Sequence, residues 1–402
     1  MRYSTNYDIG DRKRGQGINE DSVSLTVFEE GHRDGYRGQD RPQSQDPATA
    51  DDSETADATD ETAGTETAAY TAADTDGADI DDADTSETDG SGQPMNRSAG
   101  VFVVADGAGG HDAGDIASYI TTTIVAEHLA PVAIRTARSY PGDFDVDVAR
   151  DVLPDPPGER ELETAVAEAI TAAHREIIRY ANETGTQSYT TVVAGIYADG
   201  KLHYGWVGDS RAYVVNSARE TISPLTRDHA VVQEWVDSDE IDPVEAHVHP
   251  NGNEITRALG GSGYEDPDEA TVGVDTRTVR LYEEDTVLAT SDGLIDAQTD
   301  APELYEEYVD SDHAESVAER IRDEVVTDEE IRDVVLGASS LDAASREFVS
   351  LANDRGGKDN ISVLLFADSA LPKTPESGGM PVRDIDPDLD ISERDTVIMT
   401  DE

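Results

Sequence analysis

The feature that most constrains the fold is a long stretch, residues 31–97, with almost no side chain that a core could bury. It consists mainly of Asp, Thr, Ala, Glu, Ser and Gly, and Tyr70 and Ile80 are almost the only large apolar residues between Gln39 and Pro94. Such a segment cannot bury enough apolar surface to offset the entropy of ordering it. We therefore expect a disordered acidic insertion within a domain built from the residues on both sides.

The C-terminal region, residues 369–402, has a similar composition. It is rich in Pro, Asp and Glu, and its one short apolar stretch is Val397-Ile398-Met399. This composition predicts an acidic, mostly disordered tail. The sequence therefore predicts one domain over residues 1–368, interrupted by the insertion at 31–97.

The charge balance excludes several classes of partner. The chain has 88 acidic and 30 basic residues, a formal net charge of −58, and no cysteine. Such a charge repels nucleic acid and anionic lipid, so we expect neither nucleic-acid nor membrane partners.

The N-terminus lacks an apolar signal region and no apolar run approaches the ~20 residues of a membrane helix, which predicts a cytoplasmic protein. Because molar salt shortens the Debye length to about 3 Å, the dispersed acid also indicates a salt-adapted, haloarchaeon-like organism.

Short β-rich runs and longer helical patterns alternate through the rest of the chain. Apolar spacing predicts a buried strand over 101–105 and helices over 112–129 and 161–181. Asp199-Gly200 between two apolar runs indicates a hairpin, and therefore antiparallel pairing. The remaining predicted elements are strands over 190–197, 202–207, 211–215, 278–281, 286–290 and 361–366, and a helix over 341–353. Strands grouped around hairpins, with helices interspersed, indicate an α+β fold.

Carboxylates recur at points where predicted strands end in turns. They lie in Asn19-Glu20-Asp21-Ser22, Asp106-Gly107-Ala108-Gly109-Gly110, Ser291-Asp292-Gly293-Leu294 and Gly356-Gly357-Lys358-Asp359-Asn360. Glycine lets the backbone turn sharply, and flanking strands hold the carboxylates rigidly. A single Asp-Gly pair is typical of an ordinary turn, but the set predicts a cluster of hard oxygen ligands, which select Mg²⁺ or Mn²⁺.

Taken in order, these motifs resemble those of the metal-dependent protein phosphatase family (PPM, or type 2C), in its bacterial form. The resemblance rests on Asn19-Glu20-Asp21, the Asp106 motif, Thr190-Thr191, Gly208-Asp209-Ser210-Arg211, Ser291-Asp292-Gly293 and Lys358-Asp359-Asn360. The segment 228–260, called the flap below, is similar to the segment that bacterial members carry between the fourth and fifth motifs. The likeness spans residues 6–368 without the insertion.

The resemblance implies a four-layer αββα sandwich with two central antiparallel sheets flanked by helices. It implies hydrolysis of phosphoserine and phosphothreonine in proteins by direct attack of a water that two Mn²⁺ or Mg²⁺ ions activate, without a phosphoenzyme. The implied catalytic residues are Asp106, Asp292 and Asp359, and the implied metal ligands are Glu20, Asp21, Asp106, the Gly107 carbonyl, Asp292 and Asp359. The substrates would be phosphoproteins made by a serine/threonine kinase, and the enzyme a monomer.

Three departures from the family pattern concern the substrate phosphate and the metals. The family commonly has an arginine where this chain has Gln16, so Arg12 and Arg14 are the candidate phosphate ligands, with ordinary surface arginines as the alternative. Some relatives carry a histidine, as a possible acid for the leaving group, where this chain has Ala108. His111, three residues later, is the candidate for that role here. Thr186 and Gln187 stand where bacterial members have an aspartate for a third ion.

Two other functions remain compatible with the sequence. The departures allow a regulatory pseudo-phosphatase that binds phosphoproteins with weak turnover, although the metal aspartates are intact. Alternatively, the acidic insertion and tail could dock a basic partner while the domain serves as a scaffold. A nucleophilic role for Ser210 has no recognisable base to support it, and the resemblance implies a structural role instead.

Overall fold

Two antiparallel β-sheets form the centre of the fold. The computed structural model describes residues 1–14, 17–28, 98–108, 113–137, 156–261, 264, 266–296, 301–376, 383 and 396–397. All of these residues belong to one compact unit. The predicted insertion at 31–97 lies entirely outside the described residues, as does most of the predicted tail.

The first sheet has five strands in the order β1-β12-β11-β7-β8. Its strands are β1 (Arg2–Asp8), β12 (Ile361–Ala367), β11 (Asp285–Thr290), β7 (Arg211–Asn216) and β8 (Thr221–Pro224). Every neighbouring pair is antiparallel. The N-terminal and C-terminal parts of the domain therefore meet in one sheet.

The second sheet has eight strands in the order β13-β10-β6-β5-β3-β4-β9, and β2 also pairs with β3. Its strands are β2 (Asp21–Phe28), β3 (Ala99–Ala108), β4 (Tyr189–Thr190), β5 (Val192–Ala198), β6 (Lys201–Val207), β9 (Leu259–Gly260), β10 (Val274–Arg280) and β13 (Thr396–Val397). The predicted hairpin joins β5 to β6, and Asp199 and Gly200 adopt φ values of 50° and 69° as that tight turn requires.

Helices cover the outer faces of both sheets. The helices are α1 (Gly114–Ala137), α2 (Glu159–Thr184), α3 (Val231–Asp237), α4 (Pro243–Val248), α5 (Ala301–Asp310), α6 (Glu315–Glu324), α7 (Asp328–Gly337) and α8 (Leu341–Asp354). α1 and α2 pack on the second sheet, whereas α7 and α8 pack on the first. The layers run helix, sheet, sheet, helix, so the predicted α+β sandwich is confirmed.

The main core lies between the two sheets. Phe102 of β3 and Phe366 of β12 face each other there with ring centroids 5.7 Å apart, and Tyr204, Val214 and Leu364 are buried around them. Burial of this apolar surface from both sheets is what holds them together. No helix in the described part of the chain is long and apolar enough to span a membrane.

Part of the region assigned to the tail packs on this core. Leu371 is 6% exposed and joins the cluster between the sheets. Arg383 is 4% exposed and binds Asp285 at the start of β11. Individual side chains beyond residue 368, Leu371 and Arg383 among them, therefore still pack on the domain.

Candidate metal centre

The register of β2 and β3 brings together two of the predicted metal ligands. Asp21, the first residue of β2, lies opposite Asp106 near the end of β3. The interpretation of all four motifs as strand ends was too simple, because Asp21 begins a strand. Antiparallel pairing places the start of one strand beside the end of its neighbour, which is why both kinds of position converge.

The same relation brings Asp292 and Asp359 together in the first sheet. Asp292 follows β11, Asp359 precedes β12, and Thr290 pairs with Val363. The turn at Gly293 fits tightly, because a Cβ there would collide with the carbonyl oxygen of Asn360. Both sheets thus contribute carboxylates to the same end of the sandwich.

Mutual repulsion and burial perturb the three innermost carboxylates. Burial raises the pKa of Asp21 to about 6, against the nearby hydroxyls of Ser362 and Ser291, which lower it. Burial and the charges of Asp21 and Asp292 raise the pKa of Asp106 well above its usual value. Burial is also the main reason for the strongly raised pKa of Asp292. A site that penalises negative charge this strongly is suited to bind cations.

Two buried oxygens point to the same conclusion. Oδ1 of Asp21 and Oδ1 of Asp292 are shielded from solvent and have no hydrogen-bond partner among the described residues. Buried carboxylate oxygens are normally hydrogen-bonded or coordinated to metal. Together with the oxygen-only donor set of the cluster, these two atoms fit hard divalent ions.

The Thr190-Thr191 motif holds the backbone of Asp106 in place. The carbonyl of Asp106 accepts hydrogen bonds from Oγ1 of Thr190 (2.7 Å) and from the amide of Thr191 (2.8 Å). Oγ1 of Thr191 also lies 2.6 Å from Oγ of Ser210, which is 1% exposed. Ser210 therefore supports the turn that carries Asp106 and is too buried to attack a substrate.

Asn360 and Ser291 position the other carboxylates. Oδ1 of Asn360 accepts a hydrogen bond from the amide of Glu20 (2.8 Å), and its Nδ2 donates to the carbonyl of Ile9 (3.1 Å). Oγ of Ser291 donates to Oδ2 of Asp21 (2.8 Å). These two buried residues tie the carboxylate-bearing motifs of the two sheets to each other.

Lys13 is a cation at the cluster that sequence reasoning missed. Its ammonium forms an ion pair with Asp359 and lies 3.9 Å from Oε2 of Glu20. Burial alone would lower the pKa of Lys13, but the hydrogen bond and charge of Asp359, with the charges of Glu20 and Asp106, outweigh it and raise the pKa. Nothing in the sequence distinguished Lys13 from the arginines on either side.

The two arginines proposed as phosphate ligands have different surroundings. Arg14 pairs with Asp8 (2.8 Å) and Asp11 (2.9 Å), and its side chain is 55% exposed. Arg12 instead lines a cavity of about 740 Å³ beside Asp292. Gln16 and His111 lie outside the described residues.

The cavity beside Asp292 adds carboxylates that the sequence analysis did not assign. Its lining includes Asp209 and Asp296, together with Lys358 and flap residues. Burial and the charges of Asp228 and Asp296 raise the pKa of Asp209 to about 7. The cavity therefore continues the acidic centre towards the flap.

The flap is fastened to the core through the Gly208 motif. Arg211 binds both carboxylate oxygens of Asp228. Nδ1 of His229 accepts from the amide of Gly208 (3.0 Å), and its Nε2 lies 3.1 Å from Asp275. These contacts fix one wall of the cavity.

Comparison with known proteins identifies the family. The sequence matches the family profile described as protein phosphatase 2C over residues 89–333. The chain belongs to the protein phosphatase 2C family. It is 30% identical over 276 residues to the serine/threonine phosphatase stp of Listeria welshimeri, covering 68% of this chain and 86% of that protein. It is 26% identical over 275 residues to protein phosphatase PhpP of Streptococcus pneumoniae, covering 68% and 88%.

Solved structures agree with the protein phosphatase 2C fold. A bacterial serine phosphatase superposes with a TM-score of 0.55 at 20% identity, covering 93% of this chain and 99% of that chain. The serine/threonine phosphatase Stp1 from Staphylococcus aureus gives 0.54 at 20% identity, covering 91% and 94%. Asp106 and Asp292 lie within the matched family profile, whereas Glu20, Asp21 and Asp359 lie outside it. Strand pairing places Asp21 opposite Asp106.

Proposed function

We propose that this protein phosphatase 2C is a metal-dependent protein serine/threonine phosphatase and that its reaction takes place at the carboxylate cluster. The observation that carries the assignment is the convergence of Asp21, Asp106 and Asp292, buried together with raised pKa values. Without bound cations, these three negative charges would oppose one another in a poorly solvated site.

Members of this family use divalent metal ions. We propose two Mn²⁺ or Mg²⁺ ions per chain, held by Asp106, the Gly107 carbonyl, Asp292 and Asp359, with Glu20 and Asp21 as further ligands. Such ions supply an acidified water and positive charge beside the phosphoryl oxygens. The orphaned oxygens of Asp21 and Asp292 support this arrangement.

The protein's own residues would orient the reaction. Thr190 and Thr191 keep the Asp106 backbone fixed, and Asn360 does the same for Glu20. Ser210 is buried and hydrogen-bonded to Thr191, so it is not available as a nucleophile. Its position therefore supports direct attack of water, without a phosphoenzyme. Rigid placement of this kind is the main protein contribution to phosphoryl transfer.

For the substrate phosphate, the geometry favours Arg12 and Lys13 over Arg14. Arg14 is paired with Asp8 and Asp11, whereas Arg12 faces the cavity and Lys13 contacts the cluster. A lysine is a point charge that holds phosphate without the bidentate geometry of arginine. We propose that these two cations replace the arginine absent at position 16.

The substrates we propose are phosphoserine and phosphothreonine proteins made by a serine/threonine kinase. The chain has a net charge of −58 and no cysteine. On this basis we further propose a cytoplasmic monomer from a salt-adapted organism, without nucleic-acid or membrane partners. The intact cluster argues against a weakly active pseudo-phosphatase.

The deciding experiment measures phosphate release from a phosphothreonine peptide in molar KCl, with Mn²⁺ and with EDTA. Wild type should be active only with metal, and Asp106→Asn should lose at least about 100-fold in kcat/KM. Asp333→Asn, the same change at an aspartate whose side chain is 66% exposed, is the matched control and should be unchanged. Full activity in folded Asp106→Asn would contradict the two-metal assignment, and inactivity of folded, metal-bound wild type would favour the pseudo-phosphatase.

A further inference from the structure

A second group of potential ligands lies where the flap meets the turn between α5 and α6, outside the catalytic cluster. Asp242 precedes α4, Glu245 lies in the first turn of α4, and His313 lies between α5 and α6. One side-chain oxygen or nitrogen from each lies within 4.8 Å of those of the other two. The group therefore joins two segments about 70 residues apart in the sequence.

Glu245 is the unusual member of the group. Its side chain is only 10% exposed, yet no hydrogen bond to its carboxylate is found among the described residues. Nε2 of His313 lies 3.7 Å from Oε2 of Glu245, which is too long for a hydrogen bond. A largely buried carboxylate with no hydrogen-bond donor among the described residues is stabilised by a nearby cation.

Asp242 is already oriented for binding. Its Oδ1 caps α4 by accepting from the amides of Val244 (2.8 Å) and Glu245 (2.9 Å). Its Oδ2 accepts from the hydroxyl of Tyr308 (3.0 Å) and lies 3.3 Å from Nδ1 of His313. The cap and the tyrosine thus fix the carboxylate that faces the histidine, as outer contacts commonly do for metal ligands.

His313 is also held in place. Its ring stacks on Tyr308 with centroids 4.7 Å apart and an interplanar angle of 9°. A tetrahedral ion with bonds of about 2.0–2.1 Å needs its ligand atoms about 3.3 Å apart, the present separation of Asp242 and His313. Only Glu245 must approach, and its carboxylate has no hydrogen bond to break among the described residues.

We propose that Asp242, Glu245 and His313 form a binding site for a divalent transition-metal ion of the Zn²⁺ type, with water as the fourth ligand. One imidazole nitrogen and two carboxylate oxygens suit Zn²⁺, whereas Ca²⁺ and Mg²⁺ prefer oxygen alone. This site is separate from the catalytic cluster, and its assignment does not depend on phosphatase activity.

The ion would have a structural role in the wall of the substrate cavity. Val244, Ala246 and His247 of α4 line that cavity. α4 also packs through Val248, another residue of the cavity lining, against the apolar cluster of α5 and α6. Linking α4 to His313 would therefore fix the cavity wall against these two helices.

The test is a count of bound Zn²⁺ by equilibrium dialysis and elemental analysis of the full chain, with Zn²⁺ as the only added metal. Wild type should bind one ion more per chain than either His313→Ala or the nearly isosteric Glu245→Gln. At this site, the apparent dissociation constant for Zn²⁺ should be at least about tenfold higher in each variant than in wild type. The same difference should persist in an Asp106→Asn background, in which the catalytic site is altered. His128→Ala, at an exposed histidine on α1, is the matched control.

Thermal unfolding gives an independent measurement. Zn²⁺ should raise the Tm of wild type and of His128→Ala, and this increase should be smaller in His313→Ala and Glu245→Gln. Equal Zn²⁺ content and equal Tm increases in all four proteins would overturn the proposal. His313 would then serve only to pack between the two carboxylates.

Discussion

The buried ion pair between Arg383 and Asp285 predicts that the acidic C-terminal region stabilises the domain. The two side chains are 3% and 1% exposed. Nη1 of Arg383 donates to Oδ1 of Asp285 (2.9 Å) and Nη2 to Oδ2 (2.6 Å), and Nη2 also donates to the carbonyl of Arg280 (2.7 Å). The guanidinium lies 5.4 Å from the ring centroid of Tyr282.

Arg383→Met keeps much of the apolar stem but leaves Asp285 without its cation. Removing one member of a buried pair typically costs about 3–5 kcal/mol. Asp285 would keep hydrogen bonds from the side chain of Asn216 (2.7 Å) and the amide of Tyr282 (2.7 Å), so we expect the lower end, about 3 kcal/mol. Asp285→Asn in the same chain should recover at least about 1 kcal/mol, because it removes the uncompensated charge.

Urea unfolding, followed by the fluorescence of Trp206 and Trp235, measures these differences. The matched control is Arg346→Met, because Arg346 also pairs with an aspartate but its side chain is 67% exposed. The control should change the free energy of unfolding by less than about 1 kcal/mol. A loss in Arg383→Met no larger than in the control, with an unchanged m-value, would refute the reasoning.

Two further predictions concern buried polar groups. Burial lowers the pKa of His174 to about 4, so the folded protein resists a proton that the unfolded chain accepts below about pH 6.5. Stability from this group is complete above pH 6.5 and falls by about 3 kcal/mol as the pH drops to 4. In His174→Gln, urea unfolding at pH 7 and pH 4.5 should give a smaller difference than in wild type, and an equal difference would contradict the assignment. Thr191→Val should cost about 1–3 kcal/mol, because it deprives the Asp106 amide and the Ser210 hydroxyl of a buried contact. Thr184→Val, at an exposed hydroxyl, is its control and should stay within about 0.5 kcal/mol in the same assay.

The strongly patterned parts of the fold were predictable from the sequence. Strand β3 is an almost continuous apolar run, and α2 shows clear helical spacing, so local pattern and tertiary burial agree. The boundaries were less accurate, since α1 continues through Pro131 to Ala137. The predicted strand over 190–197 is divided at Thr191, whose amide bonds to Asp106.

Strand β1 was not predicted because it is a polar edge strand. Its sequence Arg-Tyr-Ser-Thr-Asn-Tyr-Asp lacks a continuous apolar face, and only Ser4 within it is buried. Its pairing with β12, from Arg2 opposite Ala367 to Asp8 opposite Ile361, supplies the order that its own side chains do not. Information of this kind lies in a partner strand more than 350 residues away.

In the candidate site, too, some residues could be predicted from local sequence and others depend on long-range packing. Asp106 and Asp292 stand out in the sequence because each precedes a glycine after an apolar run. The contact of Lys13 with Asp359, and the position of Asp296 beside Asp209, depend on long-range packing that no local pattern records. The role of Arg383 could not be predicted for the same reason, since a single arginine among acidic residues is typical of a solvated tail.

The register of β2 and β3 also explains how this centre tolerates a long insertion. Asp21 faces Asp106 at one end of the pair, and Phe28 faces Ala99 at the other. At about 3.4 Å per residue, the seven steps from Asp21 to Phe28 separate the two ends by about 24 Å. The chain between Phe28 and Ala99 therefore leaves and re-enters the sheet at neighbouring positions far from Asp21 and Asp106. Because the closure entropy of such a loop grows only slowly with its length, added residues there cost the domain little and leave the carboxylates undisturbed.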